Sequence, residues 1–125
     1  MHHSRLCAIL IDCDESTMDD SVRFWSGALG VAPKHPDDPT DPYVPLPGAV
    51  DGLLLDLQRI DGPSRIHLDF ETDDVEAEVR RLEALGATRE RQIERWWIMR
   101  DPSGHLFCVV PPQSDDFPAN ARRWE

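Results

Sequence analysis

The chain has 125 residues, with 24 acidic against 13 basic side chains, a formal charge of −11 and a 40% hydrophobic fraction that is enough for a core. That length suits one domain. So acidic a chain lacks the basic surface that nucleic acid or an anionic membrane requires, though a local arginine can still serve a small anionic ligand. No apolar run approaches the roughly 20 residues of a membrane span.

The opening, MHHSRLCAILIDCDE, turns acidic too early for a signal peptide. His2 and His3 receive no role in this reading. Three cysteines without CxxC spacing indicate reduced thiols and a cytoplasmic protein.

LCAILID (6–12) is a near-continuous apolar run and is predicted as a buried strand. Thr17 can cap the helix that follows, with Asp20 in its first turn. Met18, Val22, Trp25 and Leu29 recur at helical spacing, and Gly30 ends the helix. Six prolines between Pro33 and Pro47 exclude helix and central strand there. The segment is predicted as a loop with a short edge strand around Tyr43–Leu46. Its acidic run DDPTD lacks the ligand spacing of a calcium loop.

GLLLDLQRI (52–60) is a strand, DGPS (61–64) a turn, and RIHLDFE (65–71) a further strand. In the last, Ile66, Leu68 and Phe70 share one face, while His67, Asp69 and Glu71 share the other. Thr72 or Asp73 caps a second helix with Val75, Val79, Leu82 and Gly86 along its inward stripe. RQIERWWIMR (91–100) contains a strand, DPSG (101–104) is a type I turn, and HLFCVV (105–110) is the returning strand. The tail, 113–125, is predicted to be irregular, anchored by Phe117 and Trp124. The order strand, helix, strands occurs twice. Each helix ends in Ala-Leu-Gly, at 28–30 and 84–86, an offset of 86 − 30 = 56 residues, as expected of two equivalent units sharing one core.

Three stretches carry a resemblance: SVRFWSGALG, LLLDLQRIDGPSRIHLDFETDDVEAEVRRLEALGA and WWIMRDPSGHLFCVV. With their spacing they span nearly all of 5–110. The chain resembles the vicinal oxygen chelate superfamily, which includes glyoxalase I, bleomycin-resistance proteins and extradiol dioxygenases. It is most similar to the small bacterial glyoxalase-like branch. The resemblance implies an α+β fold of two βαβββ modules, about 5–60 and 65–112. Their curved mixed sheets would form an incomplete barrel around a cavity, with the helices outside. It implies a divalent metal, Zn, Fe, Mn or Ni, in that cavity, and places His67 where the second-half metal-binding histidine sits. An acidic ligand is expected four residues after the turn glycine. Cys108 stands there instead, with Leu106 apolar on the same face.

The candidate pocket is therefore His67, Asp69, Gln58, Asp56, Trp97, Leu106 and Cys108. His67 is either a metal ligand or a hydrogen-bonded histidine partnered by Asp69 or Gln58. The first-strand ligand position falls on Cys7 or an apolar neighbour, while Asp56 and Gln58 share one face of their strand. Asp69 either orients the imidazole or pairs with an arginine such as Arg59 or Arg95. Strand parity selects Trp97 over Trp96 as the cavity aromatic. Cys108 is expected to be a buried thiol.

Three functions follow. One is a glyoxalase-like enzyme acting as lyase, isomerase or dioxygenase. Another is a non-catalytic, drug-sequestering binder of a small molecule, favoured by Leu106 and Cys108 at acidic positions and by Trp97. The third is a degenerate dimerisation or regulatory domain. A homodimer is expected because such modules expose sheet edges.

Overall fold

The computed structural model describes all 125 residues. Its elements are β1 (His2–Asp14), α1 (Met18–Leu29), β2 (Tyr43–Pro45), β3 (Leu54–Ile60), β4 (Arg65–Thr72), α2 (Val75–Ala84), β5 (Thr88–Ile93), β6 (Trp96–Arg100), β7 (Leu106–Val110) and β8 (Arg122–Trp124). This is the mixed α+β class expected, with eight strands in one sheet, ordered β2-β3-β1-β4-β7-β6-β5, and β8 beside β1. The chain divides into two compact units, Ala8–His67 and Leu68–Glu125 with Met1–Cys7. Each is taken by itself below.

In the Ala8–His67 unit, β3 runs parallel to β1 and β2 antiparallel to β3. The helical stripe closes over Met18, Val22 and Trp25, while Leu29 at the end of the helix is 40% exposed. Met18 and Val22 are buried against Cys13, Leu55, Leu57, Val44 and Leu46, with Ile9, Ile11 and Trp25 packed on that cluster. Gly30 takes a left-handed conformation, φ 67°, and its N–H donates to the Ser26 carbonyl, ending α1 where Ala-Leu-Gly predicts. Thr17 is the N-cap residue but makes no side-chain cap bond, because its hydroxyl donates to the Asp14 carbonyl (3.1 Å). The odd residues of β1 face α1. Its even residues, Ala8, Leu10 and Asp12, face away, opposite Leu54, Asp56 and Gln58 of β3.

In the Leu68–Glu125 unit, β7 is parallel to β4 and antiparallel to β6, which is antiparallel to β5. Val79 of α2 is fully buried against Met99, Phe107 and Val109, with Phe70, Val75, Leu82 and Trp97 around them. Each such apolar side chain contributes about 1.5–3 kcal/mol.

Four details differ from the sequence reading. The α2 cap is Asp74, which accepts from Ala77 N–H (3.0 Å). Thr72 is instead drawn to the Asp74 N–H (3.1 Å), and Asp73 to the backbone and ring of His3 (2.7 Å each). The 88–100 segment forms two strands, turned at Glu94 with φ 52°. β1 begins at His2 rather than Leu6, because Arg122–Trp124 pairs with His2–Ser4 and orders part of the tail as β8. Trp124 does anchor it, through its indole N–H to Ser4 Oγ (2.8 Å) and the Arg81 guanidinium over its ring (3.8 Å). His2 and His3 thus have structural roles. His2 Nε2 lies 2.8 Å from the fully buried Glu78, whose carboxyl burial pushes up but Arg81, Ser4 and His2 hold below the usual range.

On β4 the apolar face is the more exposed one. Ile66 is 61% and Leu68 37% exposed, whereas Glu71 on the polar face is fully buried. The apolar face of β4 joins the α2 cluster only at Phe70. Its polar face carries the side chains that make specific contacts.

Candidate functional site

Asp12 organises the polar face of the Ala8–His67 unit. It is the lone acid inside the apolar run of β1, and its side chain is fully buried. Its Oδ2 lies 2.6 Å from His67 Nδ1 and accepts from Arg65 Nε at 3.2 Å. Its Oδ1 is buried without a hydrogen-bond partner. A carboxylate only accepts, so Nδ1 of a neutral His67 carries the proton and Nε2 keeps its lone pair. The imidazole is 12% exposed. Gln58 stands opposite Asp12 in the β1–β3 register, and Tyr43 opposite Gln58. Tyr43, Gln58 and Asp12 therefore form one row on the face away from α1, with Asp56 in the next row opposite Leu10. Asp12 is a partner of His67 that the sequence reading did not offer.

Two residues along β4, Asp69 stands opposite Cys108 of β7. One ligand atom each from His67, Asp69 and Cys108 lies within 4.8 Å of the others. All three belong to this one strand pair, β4 and β7. The donors are a nitrogen, a carboxylate oxygen and a sulfur, a set that suits zinc with a position left open. A carboxylate on the far nitrogen of a ligating histidine is the usual support for such a centre. The residues present therefore fit the metal that the resemblance implies.

Cys7 does not fit as a further ligand. Its thiol donates to the Asp69 carbonyl (3.4 Å), and burial, then the charges of Glu71 and Asp69, pushes it up to about 12. It is a thiol at neutral pH, not a thiolate. Glu71 is committed elsewhere. Its Oε1 accepts from the backbone N–H groups of Gln113 (2.7 Å) and Ser114 (3.0 Å). Its Oε2 accepts from Ser114 Oγ (2.8 Å) and Arg5 Nη1 (3.0 Å). Burial pushes its carboxyl up, but these donors outweigh burial and hold it below the usual range.

Trp97 is not on the donor face. It stands opposite Val109 and packs with the α2 cluster. Ile98 is the residue opposite Cys108, so alternation puts Trp96, Ile98 and Leu106 on the Cys108 face. Asp12 is the residue that sequence reasoning missed. Its signal was a lone charge closing the apolar run 6–12, a position that needs a buried partner.

The chain belongs to the glyoxalase-like domain family, whose model matches residues 8–110. No curated protein matches it. Among solved structures it is similar to an NAD-dependent benzaldehyde dehydrogenase from Legionella pneumophila, with 16% identity, TM-score 0.62, and 84% of this chain and 98% of that one covered. It is also similar to methylmalonyl-CoA epimerase from Mycobacterium tuberculosis, with 18% identity, TM-score 0.51, and 86% and 88% covered. A variant of 4-hydroxymandelate synthase from Streptomyces coelicolor matches with 13% identity, TM-score 0.56, and 92% and 51% covered. At these identities the likeness shows the fold. No helix is long and apolar enough to cross a membrane.

Proposed function

We propose that this glyoxalase-like protein binds a small organic ligand beside a divalent metal held by His67, Asp69 and Cys108 of β4 and β7. Zinc is the metal of choice over iron, manganese or nickel, because a thiolate joins an imidazole and a carboxylate. The observation that carries the reading is the meeting of these three donors with Asp12 2.6 Å from His67 Nδ1. When bound, the metal supplies Lewis-acid polarisation of a ligand oxygen. Asp12 holds the imidazole in the tautomer whose Nε2 carries the lone pair. Asp69 and Cys108 complete the donor set from adjacent strands. Without redox chemistry such a centre serves a lyase or isomerase rather than a dioxygenase.

Elemental analysis of protein purified without chelator tests this. About one zinc per chain is expected, with loss of zinc in Cys108→Ser and His67→Ala. Cobalt substitution should add a thiolate charge-transfer band that Cys108→Ser abolishes. Metal-free protein that takes up neither ion overturns the reading. The second reading, a drug-sequestering binder without catalysis, is favoured by Trp96, Ile98 and Leu106 beside Cys108. It would leave ligand binding indifferent to metal removal.

A further inference from the structure

We propose that the helix-free face of the Leu68–Glu125 unit recognises the carboxylate of an organic acid, using the Arg91 guanidinium and the Trp96 indole N–H, with Ile93 and Ile98 against the acid's apolar body. The proposal rests on the small-molecule reading above and names its ligand class.

A register shift places Arg91 there. β5 pairs Arg89 with Met99 but Arg91 with Ile98, so an extra residue is inserted at Glu90. Residues two apart on a regular strand share a face; across a bulge they do not. Arg89 accordingly lies on the α2 side, where it pairs with Glu76 (2.8 Å) and Glu83 (3.0 Å) and covers the Trp97 ring. Arg91 falls on the opposite face, in one transverse row with Ile98, Cys108 and Asp69. The adjacent acid, Glu90, is held by Arg100 at 2.9 Å; Arg91 adds only the pull of its charge to Glu90 and makes no hydrogen-bonded pair with it. A guanidinium therefore remains available on an otherwise strongly acidic protein.

Trp96 supplies an independent observation. Its indole nitrogen is buried and has no hydrogen-bond partner. An indole N–H only donates, so a ligand oxygen is the natural acceptor. Ile93 lies opposite Trp96 and Ile98 opposite Arg91, which sets an apolar patch between the two donors. From the Arg91 strand to the Cys108 strand is two strand spacings, about 10 Å. An acid of that reach presents its carboxylate to Arg91 and its other end to the donor group at Cys108 and Asp69.

The test is calorimetric titration with phenylacetate and its neutral isostere phenylacetamide, using the full chain with and without zinc. Wild type should favour the acid by about tenfold or more, as a charge-assisted bond to arginine implies. Arg91→Gln should abolish that preference and Arg91→Lys should restore part of it. Trp96→Phe, which keeps a ring but removes the N–H, should weaken the acid severalfold. Zinc content should be unchanged in every variant. Equal binding of acid and amide to wild type, or an Arg91→Gln protein that keeps the preference, overturns the proposal while leaving small-molecule binding standing. If neither probe binds, nor benzyl alcohol as a neutral control, the small-molecule reading falls and takes this one with it.

Discussion

Replacing Asp12 by Asn tests whether the buried carboxylate tunes His67 or merely fills space. The side chain accepts two bonds through one oxygen, from His67 at 2.6 Å and Arg65 at 3.2 Å. Arg65 is 52% exposed, so solvent screening limits its share to about 1 kcal/mol or less. The His67 bond is buried and involves a charge, the kind that contributes roughly 1.5–3 kcal/mol. Asparagine keeps an oxygen to accept from Nδ1 and loses only the charge. Its amide nitrogen takes the place of Oδ1, which already lacks a partner. The net destabilisation of metal-free protein should therefore be modest, about 1–2 kcal/mol. Zinc affinity should fall more, by about 10–100-fold, because a neutral amide leaves Nε2 less basic and the ring less firmly held. Urea unfolding of metal-free protein measures the first quantity, and competition with a chromophoric chelator the second. Asp12→Ala, which removes the acceptor altogether, should be worse on both counts. A variant with wild-type zinc affinity would refute the argument, since the carboxylate would then have no hold on the imidazole. So would a stability loss beyond about 4 kcal/mol, the scale of breaking a buried ion pair outright, because Asp12 would then be a structural keystone.

Two further outcomes follow from the packing. Glu71→Gln places an amide N–H₂ against Arg5, disrupting a buried pair, and should cost about 2–4 kcal/mol in urea unfolding. With Arg5→Gln the two losses should be less than additive, and full additivity would refute the coupling. Glu71 and Glu78 are both held below their ordinary pKa. Their contribution is thus complete above the unfolded glutamate value of about 4.3 and is lost as pH falls through their lower folded values. Thermal stability should decline in that acid window, less steeply in Glu71→Gln; a profile identical to wild type would contradict it. Trp97→Ala should destabilise by about 3 kcal/mol, as expected for truncating a core aromatic. It should leave phenylacetate binding intact, whereas a selective loss of binding would return Trp97 to the ligand face.

What could be read from the sequence was what local chemistry decides. The α1 stripe, Gly30 and the DPSG turn, closed by a Gly104 N–H to Asp101 carbonyl bond of 2.9 Å, each depend on residues a few positions apart. The polar face of β4 was legible for the same reason, since alternation is a property of one strand. The contact of His67 with Asp12 was not, because Asp12 lies 55 residues away and looks from sequence like the end of an apolar strand. Trp97 was misplaced because only the pairing of β6 with β7 decides which tryptophan faces Cys108. The face of Arg91 was hidden by the inserted residue at Glu90, which no periodicity announces. β8 was missed because three residues make a strand only once β1 supplies a partner.

The arrangement along β4 explains why its polar face collects chemistry rather than only structure. A buried carboxylate is tolerated when donors surround it. At the Glu71 end the protein provides those donors from the Gln113–Ser114 backbone, the Ser114 hydroxyl and Arg5. At the His67 end it provides Asp12, which in turn leans on Arg65. Both ends are thereby pinned by interactions that have a structural sense of their own. The rung in the middle sets Asp69 opposite Cys108, with Ile98 across the next ladder in the same row. A nitrogen, an oxygen and a sulfur donor gathered within 4.8 Å are the set on which the proposed zinc centre rests. This is why substitution at Cys108 is expected to reduce zinc content without unfolding the chain, while substitution at Glu71 does the opposite.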